Sequence, residues 1–146
     1  MSPSADTRER REFASDIKFL VSPILAEQIR DWVRARLAPD PNAGGAARDA
    51  YQITSLDSDT ERFDVFNRRG SFGRSKYGIR RYAQSEVVFF ERKLETRGLL
   101  AKRRSIVKLG ELERLAGADA ERRWAGYWSH RRLLARGLGP VCQDFV

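Results

Sequence analysis

Charged residues sit inside stretches that alternate with the period of a β-strand, and this limits the folds open to the chain. From Val87 onward, period two places Phe89, Glu91, Lys93 and Glu95 on one face and Val88, Phe90, Arg92 and Leu94 on the other. In the stretch before it, Lys76, Gly78, Arg80 and Tyr82 share a face, with Tyr77, Ile79 and Arg81 opposite. The stretch after it puts Lys102 and Arg104 on one face and Arg103 on the other. For any one strand this pattern fits a half-solvated sheet with its charges outward. Three consecutive strands that all carry cations strain that reading. A charged face turned inward needs a ligand, because an unpaired buried charge costs several kcal/mol. Phosphate groups would satisfy such cations with bidentate and point-charge contacts.

Other segments organise around these strands. Phe13 to Val21 reads as a strand, with Phe13, Ile17, Phe19 and Val21 on one side and Asp16, Lys18 and Leu20 on the other. Ser22-Pro23 reads as a helix start, and Ile24, Leu25, Ile29, Trp32, Val33 and Leu37 carry the helix to about Leu37. Pro39, Pro41 and Asn42-Ala-Gly-Gly end it. Strands are predicted over Tyr51–Leu56, Tyr77–Tyr82, Val87–Glu95 and Leu99–Val107. Thr60–Asn67 reads as a short helix or turn, and Arg68–Lys76 as a basic, glycine-bearing loop. That loop lacks the spacing of a P-loop and reads as a connector. Helical spacing predicts Leu109–Leu115 and Ala120–Arg136, stopped by Gly137-Leu-Gly-Pro140. A further strand opens at Val141. Trp124, Trp128 and Leu133 read as helix packing.

With 146 residues, 41% of them hydrophobic, the chain can bury one core. Its net charge is +8, from 28 basic and 20 acidic residues, and raises the prior for an anionic partner without choosing one. One cysteine, Cys142, excludes an intrachain disulfide, and with the single histidine, His130, it cannot make a His/Cys zinc site. Cys142 reads as a buried strand residue. No stretch has the length of a signal peptide or a membrane span, which reads as a soluble, cytoplasmic protein.

In this order along the chain, several pieces resemble the VTC domain, the polyphosphate polymerase domain of the triphosphate-tunnel (CYTH-like) superfamily. Asp16-Ile-Lys-Phe-Leu20 is similar to its opening Glu-x-Lys strand, and Ile53–Thr60 to its Ile-x-Ser-Leu-Tyr-Phe-Asp-Thr. Gly70–Tyr82 resembles its basic loop and Arg-x-Arg-[Arg/Trp]-Tyr strand. Phe89–Lys93 matches the Glu-x-Lys strand and Leu100–Arg104 the next basic strand. Trp124–Pro140 resembles the helical insert before a further strand.

The resemblance implies an α+β fold, an antiparallel β-sheet forming part of a triphosphate-tunnel barrel with covering helices. Residues 1–11 read as a disordered tail, and the resemblance implies a partial domain over 12–146, divided into a β-rich half-tunnel with one helix over 12–108 and a helical segment with the start of a strand over 109–146. Family activity is transfer of the γ-phosphate of ATP to polyphosphate with a divalent metal, Mn or Mg. Carried over by position, Lys18, Arg80, Lys93 and Lys102 would bind phosphate, with Glu91, Arg81 and Arg104 as further candidates and no assignable catalytic or metal residue. Gly78 stands where the family has the first Arg of Arg-x-Arg, and Asp57-Ser58 where it has an aromatic pair. The family's second half, with further arginines and the principal metal-binding glutamate, has no counterpart in these residues. The expectation is therefore a doubtful enzyme, prone to self-association or completed by another fragment. A non-catalytic polyphosphate- or nucleotide-binding module is the alternative. A nucleic-acid binder is disfavoured, because the cations alternate within strands and do not form an exposed stripe with interleaved aromatics.

Overall fold

A computed structural model describes residues 14–41, 43 and 50–141. They fall into two units, one formed by Asp16–Gln52 and the other by the segment up to Ser15 together with Ile53 onward.

In the larger unit, β1 (Ile53–Asp59), β2 (Ser75–Tyr82), β3 (Val87–Thr96) and β4 (Leu99–Lys108) form an antiparallel meander. A short β5 (Gly139–Val141) pairs with β1, giving the order β4-β3-β2-β1-β5. The two edge strands do not pair with each other, so among the described residues the sheet is open and closes no barrel. The architecture is α+β, as the sequence predicts. Cys142 and the tail over 1–11 lie outside the described residues.

One sheet face carries the core. Val88, Phe90 and Val107 pack under Trp124, with Ile79, Leu109, Leu112 and Leu115 around them. A second cluster joins Val65, Tyr77 and Leu138 to Phe72, Trp128 and Leu133. These apolar positions are the alternate residues of the strands, and the cover is a 3-10 segment (Leu109–Ala116) and a helix (Tyr127–Arg136). That helix begins seven residues later than the predicted Ala120. The reason is packing: a Cβ on Gly126 would lie 2.7 Å from the Trp124 ring and 2.8 Å from Phe90. The chain therefore turns tightly here, seating Trp124 edge-on against Phe90 at 5.7 Å. Gly137 ends the helix in the left-handed conformation, φ 62°.

Arg92 and Arg103 also lie on the covered face, stacked on Trp128 at 5.1 and 4.0 Å. Burial lowers the pKa of both guanidinium groups, and the nearby Arg132 adds to the effect. The loop after β1 is pinned by Asp59, whose carboxylate accepts from the backbone N–H groups of Thr60, Val65 and Phe66 at 2.7, 2.8 and 2.9 Å. This turn, the one predicted over Thr60–Asn67, delivers the basic segment, where Gly70–Arg74 forms a 3-10 turn running into β2.

The strand predicted over Phe13–Val21 does not form among the described residues. Only Ala14 pairs, bridging Leu100 through bonds of 2.9 and 3.0 Å. Phe13 lies outside the described residues. Residues 15–22 alternate in hydropathy but make no ladder, and alternation without a partner strand does not satisfy the backbone. In the Asp16–Gln52 unit the helix α1 runs Pro23–Arg34, and the Ser22 hydroxyl accepts from Leu25 N–H at 3.3 Å. It stops three residues short of Leu37, and the chain continues in turns towards Pro39. The helix of Tyr127–Arg136 is α2.

Candidate functional site

The uncovered face of the sheet is built from the charged alternate residues. Register sets them in rows across the strands. Lys76 stands opposite Lys93, and Lys93 opposite Lys102. The next row is Asp57, Gly78, Glu91 and Arg104, and the one after it Ser55, Arg80, Phe89 and Ile106. Cross-strand neighbours sit about 5 Å apart at Cβ, and like charges placed so repel. A row of three lysines on adjacent strands is therefore unfavourable for the sheet alone. None of the three makes an ion pair among the described residues.

Glu91 is the acid at the centre of this face. It accepts a hydrogen bond from Arg104, and its second oxygen lies 4.0 Å from Arg80 Nε. Arg104 is held in place by stacking 4.8 Å over the Phe89 ring and by donating to the Tyr82 hydroxyl at 3.4 Å. Tyr82 in turn meets Phe89 edge-on at 5.4 Å. Glu91 is thus taken up by two guanidinium groups and makes no ion pair with the lysine row. A cavity of about 240 Å³ opens beside this group, lined by Ser55, Asp57, Lys76, Gly78, Arg80, Glu91 and Lys93.

The model of the VTC domain family matches residues 13–137. The chain belongs to the VTC domain family. No curated protein and no solved structure matches it. Against the VTC pattern, the predicted site residues divide into three groups. Arg80, Lys93, Lys102, Glu91 and Arg104 share one face. Arg81 is on the other face, and its Nε donates to Ser85 O at 2.8 Å, fastening the β2–β3 turn. Lys18 belongs to the Asp16–Gln52 unit, where it is exposed and 3.9 Å from Asp16.

Lys76 completes the row but is absent from the residues carried over from the family. The signal for it is its parity with Arg80 in β2. The two departures from the VTC pattern, Asp57 and Gly78, prove to be cross-strand partners. A Cβ at position 78 would lie 3.0 Å from Asp57 Oδ1, so the missing side chain opens the cavity and the aspartate leans over it.

Among the described residues no group of three or more His, Cys, Asp or Glu side chains is arranged to hold a metal. Asp57 and Glu91 are the carboxylates on the cavity wall, and Glu91 is taken up by Arg104 and Arg80. These residues do not make a site for the divalent metal that the family implies. No described helix is long and apolar enough to cross a membrane.

Proposed function

We propose that the uncovered face is the phosphate-binding wall of a VTC domain related to polyphosphate polymerases. Its ligand is condensed phosphate, either polyphosphate or the triphosphate of a nucleotide such as ATP. The observation that carries this reading is the row Lys76–Lys93–Lys102, three neighbouring cations that make no ion pair among the described residues. A chain of phosphoryl groups laid on the row would turn their mutual repulsion into attraction. Arg80 and Arg104, already oriented by Glu91, flank it with fixed donors. Phosphoryl transfer, the family's chemistry, depends mainly on this kind of positioning and charge neutralisation. A wall of cations with an open side supports the binding half of that task.

The test is calorimetry with tripolyphosphate on the parent chain and on Lys93→Ala, Lys102→Ala and Arg80→Ala. Each should weaken binding by about 1–3 kcal/mol, the range for charge-assisted hydrogen bonds. Arg131→Ala, an exposed position on α2, should change affinity little and lose only screened, diffuse attraction. Equal losses at all four positions would reduce the protein to a basic surface without a site. Equal affinity for single-stranded DNA of matched charge would favour a nucleic-acid binder.

A further inference from the structure

Past the lysine row lies a second, larger cavity of about 470 Å³, lined by Arg68, Gly73, Arg74, Glu95, Thr96 and Arg97. Three arginines line it from separate pieces of chain. Arg68 comes from the loop after β1, Arg74 immediately precedes β2, and Arg97 is in the turn between β3 and β4. The one carboxylate in the lining is Glu95, and none of the three arginines makes an ion pair among the described residues. The lining of the cavity lies close to the row along the chain. Arg74 is two residues before Lys76, and Thr96 is three residues beyond Lys93, about 10 Å along a strand.

The backbone at two of these arginines favours other residues. Arg68 and Arg97 both have φ 52°, in the left-handed region that suits Gly and Asn. Arg97 and Gly98 form a two-residue hairpin turn with positive φ at both positions, a turn normally filled by Asn-Gly. At the other arginine, Gly73 comes so close that a Cβ there would lie 3.1 Å from Arg68 O and 3.3 Å from Arg68 Cβ. Arginine is thus held at two unfavourable positions, and both residues line the same cavity. Phe63 and Ala83 share this left-handed backbone away from the cavity, so what sets the two arginines apart is that they line one cavity together with Arg74.

Building on the reading of the lysine row as a phosphate wall, we infer that this cavity is a second phosphate subsite. It takes the phosphoryl groups of a condensed-phosphate chain that extend beyond the row. Arg68, Arg74 and Arg97 then determine chain-length preference, because a ligand confined to the row does not reach them.

Arg97→Asn and Arg68→Gly test this without endangering the fold, since each installs a residue that its backbone prefers. Both variants should unfold at a temperature equal to or above that of the parent. Calorimetry compares tripolyphosphate with a long linear polyphosphate. The preference of the parent for the long chain should fall by about tenfold in each variant, the effect of one lost charge-assisted contact. An unchanged ratio, or a parent with no length preference, overturns the subsite. Lys93→Ala separates the two readings. If it weakens both ligands while Arg97→Asn alters nothing, the row stands and the second cavity falls. If Lys93→Ala weakens neither, the phosphate wall itself is wrong and the subsite falls with it.

Discussion

Replacing Lys93 with Met should make the protein more stable and a worse anion binder. Lys93 stands between Lys76 and Lys102. Its charge therefore enters two like-charge cross-strand pairs, each unfavourable by about 0.2–1 kcal/mol. Lys76 and Lys102 are exposed and can splay into solvent, so the lower half of that range applies. Removing both pairs should add about 0.5–1 kcal/mol of stability. Lys102→Met removes one pair and should gain roughly half as much. Methionine keeps a long apolar stem, so the packing of the side chain along the sheet is nearly retained. Urea unfolding at low salt reads the gain. In about 1 M salt, where the screening length falls to about 3 Å, the gain should nearly vanish. Tripolyphosphate affinity should meanwhile drop by about 1–3 kcal/mol. A Lys93→Met protein that is less stable than the parent, or a gain that ignores salt, would refute the reasoning. The row would then be three independent solvated lysines.

Two further substitutions probe what holds the wall in place. Phe90 is 2% exposed and meets Trp124 edge-on, so Phe90→Ala should lose about 3–5 kcal/mol in urea unfolding, and a loss below about 1 kcal/mol would remove this pair from the core. Asp64 has its carboxyl pKa held below the usual 3.8, first by the Thr60 hydroxyl at 2.6 Å, with Arg69 adding to this and desolvation opposing it. A folded-state pKa below the unfolded one gives stability that is present above pH 3.8 and lost as pH falls through the lowered value. Asp64→Asn should therefore flatten the acid limb of the stability profile, and an unchanged limb would show that the bond to Thr60 is not coupled to folding.

Much of the sheet was legible because a strand records its faces in the sequence. In β2, β3 and β4, alternation predicted which cations share a side, and the register puts Arg80, Glu91, Lys93, Lys102 and Arg104 together. Alternation could not say which strands are neighbours, so the alignment of Lys76 with Lys93 and Lys102 had to come from pairing. It also failed where no partner strand pairs among the described residues. The stretch after Ala14 has the right pattern and makes no ladder. The late start of α2 was hidden because residues 120–126 have helical composition. The decisive fact is a contact distant in sequence, Gly126 against Phe90. Arg81 shows the limit of family motifs. The resemblance made it a candidate, but its parity places it on the covered face, where it binds a turn carbonyl.

The pairing of Asp57 with Gly78 makes a last prediction possible. The VTC pattern places an arginine at 78, and on the proposed reading its absence removes one phosphate contact from the centre of this face. Restoring it alone should achieve little. A side chain at 78 begins 3.0 Å from Asp57 Oδ1, so an arginine there meets a carboxylate before it meets a ligand. The aspartate can rotate aside, so Gly78→Arg should fold, but its guanidinium would be neutralised by Asp57 and anion affinity should stay within about twofold of the parent. Removing that acid frees the new cation. Gly78→Arg with Asp57→Asn should bind tripolyphosphate more tightly by about 1–3 kcal/mol, while Asp57→Asn alone gains only the smaller benefit of one less repulsive charge. The gain of the double variant should therefore exceed the sum of the two single effects, and a double-mutant cycle in calorimetry measures the excess. Strict additivity would show that Asp57 and position 78 act separately. The cavity between them would then be a gap in the wall, with no part in setting its charge.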